Sequence, residues 1–373
     1  MINMDNKNYL DFDEAVDFLK TTPSTMYKWL QTGKVPGHKL GRQWRFIKNE
    51  LEVHVSGKGP QIQIQKEILE LENLLTTRSR KDQKMRNTGI AEQIIWDAYD
   101  HGTRMIHIAP AQGKYEIRYR QRKGFDSLTV VQEETFINLD QNLCQMSSPM
   151  REENMRRLNL NRGEEETLQV RYQKIETVAG SRITLQLWNP QQDVLPLESI
   201  SGGDEEALKT FKAWAKRKSG LIVISGASGS GKTTTVHSLL KEAQNIGSAI
   251  FTVENPVEIV IDGINQVEMA RKRPEEFEQA FDRIIYSDPD VIALGLGHFQ
   301  GLEKMLVEKA VGAAMTGTLV ILQWHASSAD QALEQIQKYT DQNVATNLVG
   351  VCYQKLVPSA KGLKAVYDFK EKN

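Results

Sequence analysis

One stretch of the chain, residues 221–236, constrains the fold more than any other. It has the sequence LIVISGASGSGKTTTV. Leu221–Ser225 is a short apolar run typical of a buried strand, and Thr234–Gln244 has the pattern of a helix. Between them lies a complete match to G-x-x-x-x-G-K-T, in the strand–loop–helix context that a phosphate-binding loop requires. The sequence therefore predicts a strand, a glycine-rich loop and a helix in direct succession.

The residues of this loop predict a binding site for ATP and Mg²⁺. Glycines let backbone N–H groups turn towards a phosphate, and the following helix presents its positive N-terminal end to the same anion. Lys232 is placed to reach the β- and γ-phosphates, and the Thr233 hydroxyl to bind Mg²⁺. The alternative is a glycine-rich turn without a ligand, which the Lys–Thr pair after the last glycine disfavours. The predicted nucleotide-binding residues are Gly226, Ala227, Ser228, Gly229, Ser230, Gly231, Lys232, Thr233 and Thr234.

Composition predicts a cytoplasmic protein of two or three domains. The chain has 373 residues, of which 40% are hydrophobic and 25% charged, with a net charge of −1. A net charge this small steers the chain to neither nucleic acid nor membrane, so any such binding requires a local patch. The two cysteines, Cys144 and Cys352, lie far apart and fit a reducing compartment. No apolar run approaches the ~20 residues of a membrane span.

Residues 1–58 have the pattern of a small helical domain with a hairpin. Asp11 and Glu14 form a capping-box pattern at the start of a first helix. Pro23 is placed in the first turn of a second helix. Residues 38–47 predict a short hairpin, and a third helix is predicted from Asn49 to Val55.

The same region carries a strong local charge bias. Between Lys20 and Asn49 there are seven Lys or Arg residues and no Asp or Glu. Helices followed by a basic hairpin are typical of proteins that read duplex DNA, and residues 9–55 resemble the excisionase/MerR-type winged helix–turn–helix. The resemblance implies DNA contacts from the second helix and the wing, at Ser24, Thr25, Tyr27, Lys28, Lys39, Arg42 and Arg45. A winged helix reused as a protein-docking module is the alternative.

Residues 59–88 are predicted to be a partly helical linker. A breaker cluster at 56–60 precedes them. Apolar residues at helical spacing follow, namely Ile64, Ile68, Leu71 and Leu75. The pattern predicts a solvated linker helix, with a short coiled-coil contact as the alternative.

The rest of the chain predicts two α/β-containing domains. Residues 89–190 combine a helix at Ile90–Tyr99 with strands at 105–108, 115–120, 167–178 and 183–188, which indicates an α+β domain without a catalytic constellation. His107 on the first of these strands is predicted to pack or to form hydrogen bonds. In residues 204–373 strands alternate with helices, which predicts a doubly wound sheet with its ligand at the carboxyl ends of the strands.

From about residue 89 to its end the chain resembles the traffic ATPases of secretion systems and type IV pili. Besides the loop, the segments that carry the resemblance are TRMIHIAP at 103–110, IRYR at 117–120, TVAGSRI at 177–183, ENPVE at 254–258, His325 and QKL at 354–356. The resemblance implies an α/β fold in which a RecA-like P-loop NTPase domain follows a smaller α+β domain. It also implies ATP and Mg²⁺ as ligands, self-association in a hexameric ring, and secretion or pilus components as partners.

The chain departs from this family where the family positions the attacking water. The family has a glutamate, its general base, at the position of Leu296, and Met-Arg-Asp where this chain has Gly297, His298 and Phe299. At two positions where the family has arginines, this chain has Asp282 and Tyr286. Because phosphoryl transfer needs charge neutralisation and a positioned water, the chain is expected to bind ATP and to hydrolyse it weakly. The remaining candidates for catalysis are Glu254, Glu258 and His325.

Three functional hypotheses follow from the sequence. The first is an ATP-binding traffic-ATPase relative with a DNA-binding winged helix and weak or lost hydrolysis. The second is a working motor ATPase for pilus or secretion assembly in which residues 1–58 dock to protein. The third is a non-enzymatic regulatory or scaffold protein that uses nucleotide as a structural ligand.

Overall fold

The computed structural model describes residues 9–31, 35–41, 43–48, 50–51, 60–78, 88–121, 124–163, 166–269, 274–359 and 362–371. The chain divides into two compact units. The first contains residues 1–146 and 174–185, and the second contains residues 147–173 and 186–373. The domain limits 1–58, 59–88, 89–190 and 204–373 stay a prediction from the sequence. Among the described residues, no helix combines the length and the apolar character that crossing a bilayer would need.

The first unit begins with a three-stranded sheet and two short helices. These elements are β1 (Tyr9–Leu10), α1 (Phe12–Phe18), α2 (Pro23–Gln31), β2 (His38–Leu40) and β3 (Gln43–Ile47), with the sheet order β1-β3-β2. The capping box is confirmed, since the Glu14 N–H donates to Asp11 Oδ1 at 2.9 Å and the Asp11 N–H donates to Glu14 Oε2 at 2.8 Å. Its small core consists of Ala15, Val16, Met26, Val35, Phe46 and Leu51. Of the predicted third helix, residues 50 and 51 are helical, and Asn49 and 52–55 lie outside the described residues.

The next helix, α3 (Pro60–Arg78), is docked rather than solvated. Its Leu71 and Leu75 are 2% and 3% exposed, and the helix packs against α4 (Ile90–Asp100) and α5 (Glu133–Gln145). The carboxylate of Glu67 accepts a hydrogen bond from the backbone N–H of Gln132 at 3.0 Å. The expectation of a solvated linker is therefore wrong for residues 60–78, because the apolar stripe of this helix has a partner in the same unit.

The first unit also contains a second sheet. Its strands are β4 (Met105–Ala111), β5 (Lys114–Gln121) and β6 (Gly124–Val131), joined by the beginning of β10 (Gly180–Trp188) in the order β6-β5-β4-β10. The pairs β4–β5 and β5–β6 are antiparallel. His107 on β4 is buried, and Arg182 donates to its Nδ1 at 2.9 Å. Burial, with the nearby arginines in second place, lowers the pKa of His107 to about 4. The prediction of a packed, hydrogen-bonded histidine is confirmed.

The second unit begins with an antiparallel group of strands. They are β7 (Ser148–Pro149), β8 (Met155–Arg162) and the first part of β9 (Glu166–Thr177), in the order β7-β8-β9. Arg157 on β8 donates to Glu268 Oε2 at 3.0 Å and to the carbonyl oxygen of Val257. This ion pair ties the strands to the segment that follows Glu254 in the same unit.

The larger part of the second unit is a seven-stranded sheet with helices on both faces. The strands are β11 (Gly220–Ser225), β12 (Ile250–Asn255), β13 (Asn265–Glu268), β14 (Val291–Gly297), β15 (Leu319–Trp324), β16 (Leu348–Ser359) and β17 (Gly362–Glu371). The helices are α6 (Pro190–Asp193), α7 (Leu197–Ser201), α8 (Glu205–Ala215), α9 (Lys232–Asn245), α10 (Pro274–Ile285), α11 (Glu303–Met315), α12 (Ala329–Gln337) and α13 (Val344–Asn347). The strand order is β13-β12-β14-β15-β11-β16-β17, and only the pair β16–β17 is antiparallel.

Strand β11 lies inside this sheet with both faces covered. Leu221 and Val223 belong to one apolar core, and Ile222 and Ile224 belong to the core on the opposite face. A parallel strand buried on both faces has a continuous apolar sequence, which is what residues 221–225 show. The structure confirms the α/β fold class, with a RecA-like P-loop domain preceded by a smaller α+β domain and a winged helix–turn–helix.

Candidate nucleotide site

The glycine-rich loop joins the end of β11 at Ser225 to the start of α9 at Lys232. Gly226, Gly229 and Gly231 have φ angles of +151°, +74° and +87°, a backbone region that side-chain-bearing residues rarely adopt. A Cβ atom at Gly226 would also collide with the carbonyl oxygen of Gln354 and with Ser230 Oγ. Both the conformation and the available space therefore require glycine at this position.

The side chain of Lys232 lies inside the loop. It is 5% exposed, and its Nζ donates to the carbonyl oxygens of Gly226 at 3.0 Å and Ala227 at 2.7 Å. Burial lowers its pKa to about 8. Because its described hydrogen-bond partners are two carbonyl groups and, at 3.5 Å, Nδ1 of His325, the ammonium charge is held in place without a carboxylate and suits an anionic ligand.

Thr233 faces the neighbouring strand β15. Its hydroxyl donates to Gln323 Oε1 at 3.2 Å, and Gln323 pairs with Ile224 across the β11–β15 ladder. Gln323 was not among the predicted site residues. Its position at the carboxyl end of a strand beside the loop could have indicated it, because ligands of such sheets bind at this edge.

A second glutamine supports the loop from the other side. Gln354 on β16 donates through Nε2 to the carbonyl oxygen of Ser230 at 2.8 Å. Ser230 Oγ is buried and has no described hydrogen-bond partner. Buried polar groups without a partner are costly, so an acceptor at the loop would remove this cost. The glycine cradle, the held ammonium and this hydroxyl together fit the phosphates of a nucleotide.

Two cavities of the second unit lie near the loop. The hairpin cavity, of about 720 Å³, is lined by residues of the loop helix and of the β16–β17 hairpin, including Gly231, Thr234, Leu356, Lys364 and Tyr367. The imidazole cavity, of about 290 Å³, is lined by residues that follow β14 and β15, including Gly297, His298, Gln323 and His325. The hairpin cavity is thus the larger of the two and mostly apolar, whereas the imidazole cavity is smaller and lined by both polar and apolar side chains.

Glu254 is placed in the protein interior. It is 0% exposed, and its Oε1 accepts hydrogen bonds from Thr252 Oγ1 at 2.6 Å and Gln266 Nε2 at 2.8 Å. Burial raises its pKa to about 7. Its Oε2 lies 4.0 Å from Nε2 of His237, which is also buried and whose pKa burial lowers to about 4. The sequence reasoning missed His237, because only the tertiary structure brings α9 onto β12.

The other predicted catalytic residues have more open positions. Glu258 is half-buried. His325 is exposed at the edge of the imidazole cavity, and its Nδ1 lies 3.5 Å from Lys232 Nζ. Partial burial and then the Lys232 ammonium lower the pKa of His325. Of the three candidates, His325 is the one with a described contact to the loop, and a catalytic role for any of them stays a proposal.

Leu296, which replaces the expected glutamate, is part of the apolar core. It is 1% exposed and belongs to the same core as Ile222 and Ile224. It lies directly across the β12–β14 ladder from Glu254. The replacement of the expected glutamate by leucine therefore fits the structure, because the side chain at this position is part of the apolar interior.

The predicted DNA-contacting residues of α2 are on the surface of the small helical domain. Ser24 and Lys28 are exposed, and Thr25 is half-buried with its Oγ1 2.9 Å from Thr22 Oγ1. Tyr27 is 52% exposed, with its ring centroid 4.5 Å from that of Phe12. The structure thus leaves this face of α2 open.

The wing also presents basic groups. Lys39 is exposed and lies 5.9 Å from the ring centroid of Trp44. Arg45 donates to the carbonyl oxygen of Trp44 at 3.0 Å and to Gln43 Oε1 at 2.7 Å. Arg42 lies outside the described residues. Whether these groups contact DNA stays a prediction.

Two protein-family models match this chain. Residues 79–367 match the family described as type II/IV secretion system protein, and residues 9–58 match a helix-turn-helix domain. Together they cover the two regions for which the sequence showed a resemblance.

Relatives and solved structures agree with these matches. The chain is 27% identical over 278 residues to the type IV pilus assembly ATPase TfpB of Acinetobacter baylyi, covering 72% of this chain and 46% of TfpB. It is 28% identical over 261 residues to the type II secretion system protein E of Xanthomonas campestris, covering 68% of this chain and 44% of that protein. The chain thus spans less than half the length of these relatives.

Among solved structures, the pilus retraction motor PilT with bound ADP superposes with a TM-score of 0.58 at 22% identity, covering 77% of this chain and 84% of PilT. The ATPase DotB of Legionella pneumophila superposes with a TM-score of 0.56 at 18% identity, covering 78% of this chain and 83% of DotB. At these identities the likeness concerns the fold.

Proposed function

Because this chain belongs to the family of type II/IV secretion system proteins, we propose that it binds Mg·ATP at residues 226–234 and hydrolyses it slowly or not at all. The observation that carries the proposal is the pairing of a complete loop with Leu296, buried where the family has its general base. A leucine side chain neither accepts a proton nor orients a water molecule. Binding and hydrolysis are therefore separated in this chain.

The geometry around the loop supports this mode of binding. The hairpin cavity, bordered by Gly231 and Thr234, has the size and apolar lining that suit a nucleoside. Backbone N–H groups of the loop and the N-terminus of α9 would hold the phosphates, and Lys232 would contact the terminal ones. Thr233 would hold Mg²⁺ in exchange for its hydrogen bond to Gln323. When bound, Mg²⁺ supplies neutralisation of phosphate charge.

Calorimetric titration with Mg·ATP and an ATPase assay on one preparation of the full chain test the proposal. We expect saturable binding, a higher melting temperature with nucleotide, and turnover far below the ~10 s⁻¹ typical of enzymes. Lys232→Ala should abolish the binding. Lys241→Ala serves as the matched control, because Lys241 is an exposed lysine of the same helix whose described bond is to Gln244.

Each other outcome selects a different function. Rapid hydrolysis that depends on Lys232 would favour a working motor for pilus or secretion assembly, in which Glu258 or His325 would be tested as the base. Nucleotide binding without turnover and without a nucleotide-dependent change of shape would favour the regulatory or scaffold hypothesis, and a chain that binds no nucleotide would refute the proposal. A hexameric ring and partners in a secretion or pilus machine are further proposals for this chain, and sedimentation with and without Mg·ATP tests the ring.

We further propose that residues 9–51 bind duplex DNA. The open face of α2 and the basic wing support this second function, since phosphate contacts come from exposed Lys and Arg side chains and from helix N-termini. Binding of the full chain to a duplex should weaken as salt concentration rises. A chain that shows no duplex binding at low salt would indicate a protein-docking module instead.

A further inference from the structure

The imidazole cavity is formed at the ends of β14 and β15, and two of its lining residues contact Lys232 and Thr233. These contacts are the 3.5 Å approach of His325 Nδ1 to Lys232 Nζ and the hydrogen bond of Thr233 to Gln323. Lys232 of such loops reaches the β- and γ-phosphates. A volume of about 290 Å³ has room for several water molecules at ~30 Å³ each. The cavity is therefore large enough for one phosphate group.

The charged and titratable groups at this cavity come from several elements. His298 follows β14 and His325 follows β15, and both are exposed at its edge. Glu303 and Tyr339 also line it, and Glu303 Oε2 already accepts a hydrogen bond from the Gly301 N–H at 2.8 Å. Lys232 does not line the cavity, but its Nζ lies 3.5 Å from His325 Nδ1. Two imidazoles thus border the space with one ammonium beside them.

These groups repel one another when they are positively charged. The Lys232 ammonium and His298, after partial burial, lower the pKa of His325. A phosphate in the cavity would reverse this, because a nearby anion favours the protonated form of an imidazole. ATP carries a phosphate at that position and ADP does not. The difference in affinity between ATP and ADP should therefore depend on the charge state of the histidines.

We propose that His298 contacts the γ-phosphate together with His325, and that this imidazole pair makes the preference for ATP over ADP depend on pH. This inference rests on the proposed binding of nucleotide to the loop. It assigns to His298 a phosphate-binding role, at the position where the resembled family has an arginine. An arginine keeps its charge throughout the physiological range, whereas histidine changes charge between about pH 5 and pH 8.

Calorimetric titrations of the full chain with Mg·ATP and with Mg·ADP, at about pH 6 and about pH 8, test the proposal. We expect the ratio of ATP affinity to ADP affinity to be about tenfold higher at the lower pH, which corresponds to one pKa unit of differential binding. ATP binding at about pH 7 should take up protons, seen as an observed enthalpy that changes with the ionisation enthalpy of the buffer. ADP binding should take up fewer protons.

The variants separate this inference from the proposed function. His298→Gln should leave ADP affinity unchanged and should reduce both the pH dependence and the proton uptake. His38→Gln, at an exposed histidine of β2 in the first unit, should behave as the wild type and controls for titration of the nucleotide itself. If ATP and ADP both bind but His298→Gln retains the wild-type pH dependence, the inference is overturned and the proposed function stands. If neither nucleotide binds at either pH, the proposed function fails first.

Discussion

Glu254→Gln should stabilise the protein at alkaline pH and leave it nearly unchanged at acid pH. The carboxyl group is fully buried, and burial raises its pKa from 4.5 to about 7. A carboxyl group whose pKa is raised in the folded state contributes stability that is present below its unfolded pKa. That contribution is lost as the pH rises through the folded pKa. Stability is therefore lost between about pH 4.5 and about pH 7.

The size of the effect follows from the difference between the two pKa values. Because the pKa is raised from 4.5 to about 7, and one pKa unit corresponds to 1.36 kcal/mol, ionisation of Glu254 should lower the free energy of unfolding by about 3 kcal/mol. Glutamine keeps the shape of the side chain and accepts from Thr252 as before, but it does not ionise. With its oxygen in the place of Oε1 the amide accepts from both Thr252 and Gln266, and its N–H₂ group takes the place of Oε2, 4.0 Å from His237 Nε2, which has no described partner.

Thermal unfolding of the wild type and of Glu254→Gln between about pH 5 and about pH 8.5 measures this effect. The melting-temperature difference should widen with pH in favour of the variant, by several degrees. Glu334→Gln, at an exposed glutamate of α12, is the control and should show no such trend. A difference between Glu254→Gln and wild type that stays constant across the range would refute the reasoning, because it would show that Glu254 does not change its charge there.

Three further predictions follow from the same structure. Mg·ATP should raise the melting temperature of the wild type, by linkage to the folded state, and Lys232→Ala should remove that shift in a thermal melt. Arg45→Ala should weaken duplex binding and lower the slope of log affinity against log salt by about 1, whereas Lys66→Ala on α3 should leave the slope unchanged in a fluorescence titration; an unaltered slope for Arg45→Ala would exclude that phosphate contact. Leu296→Glu should fail to restore hydrolysis and should lower the melting temperature, since it introduces a carboxyl group where leucine is 1% exposed; a phosphate-release assay that detects rapid turnover in this variant would contradict the prediction.

The strand–loop–helix unit was predictable because each of its parts has a local cause. The apolar run 221–225 is continuous since β11 is covered on both faces, and the loop glycines are required by backbone conformation. The capping box at Asp11 and Glu14 is likewise local, since both hydrogen bonds form within one turn. Elements of this kind need no knowledge of the rest of the fold.

Contacts between distant segments were not predictable in the same way. The stripe with Leu71 and Leu75 predicted a helix, but helical spacing does not say which surface the stripe will meet. The approach of Glu254 to His237 depends on the packing of α9 on β12, and each residue alone has an ordinary sequence context. Strand β1 has two residues and pairs only because β3 offers an edge, so its sequence carries almost no signal.

The burial of Leu296 limits what a single substitution at this position can achieve. A single substitution back to glutamate would have to place an acid in the apolar core shared with Ile222 and Ile224, next to the already buried Glu254. Two neighbouring carboxyl groups in one dry environment oppose each other's ionisation. Regaining the general base would then require several coordinated changes, each unfavourable before the others are in place. A glutamate at this position would therefore need the surrounding core to be repacked around a carboxyl group, which a single substitution does not do.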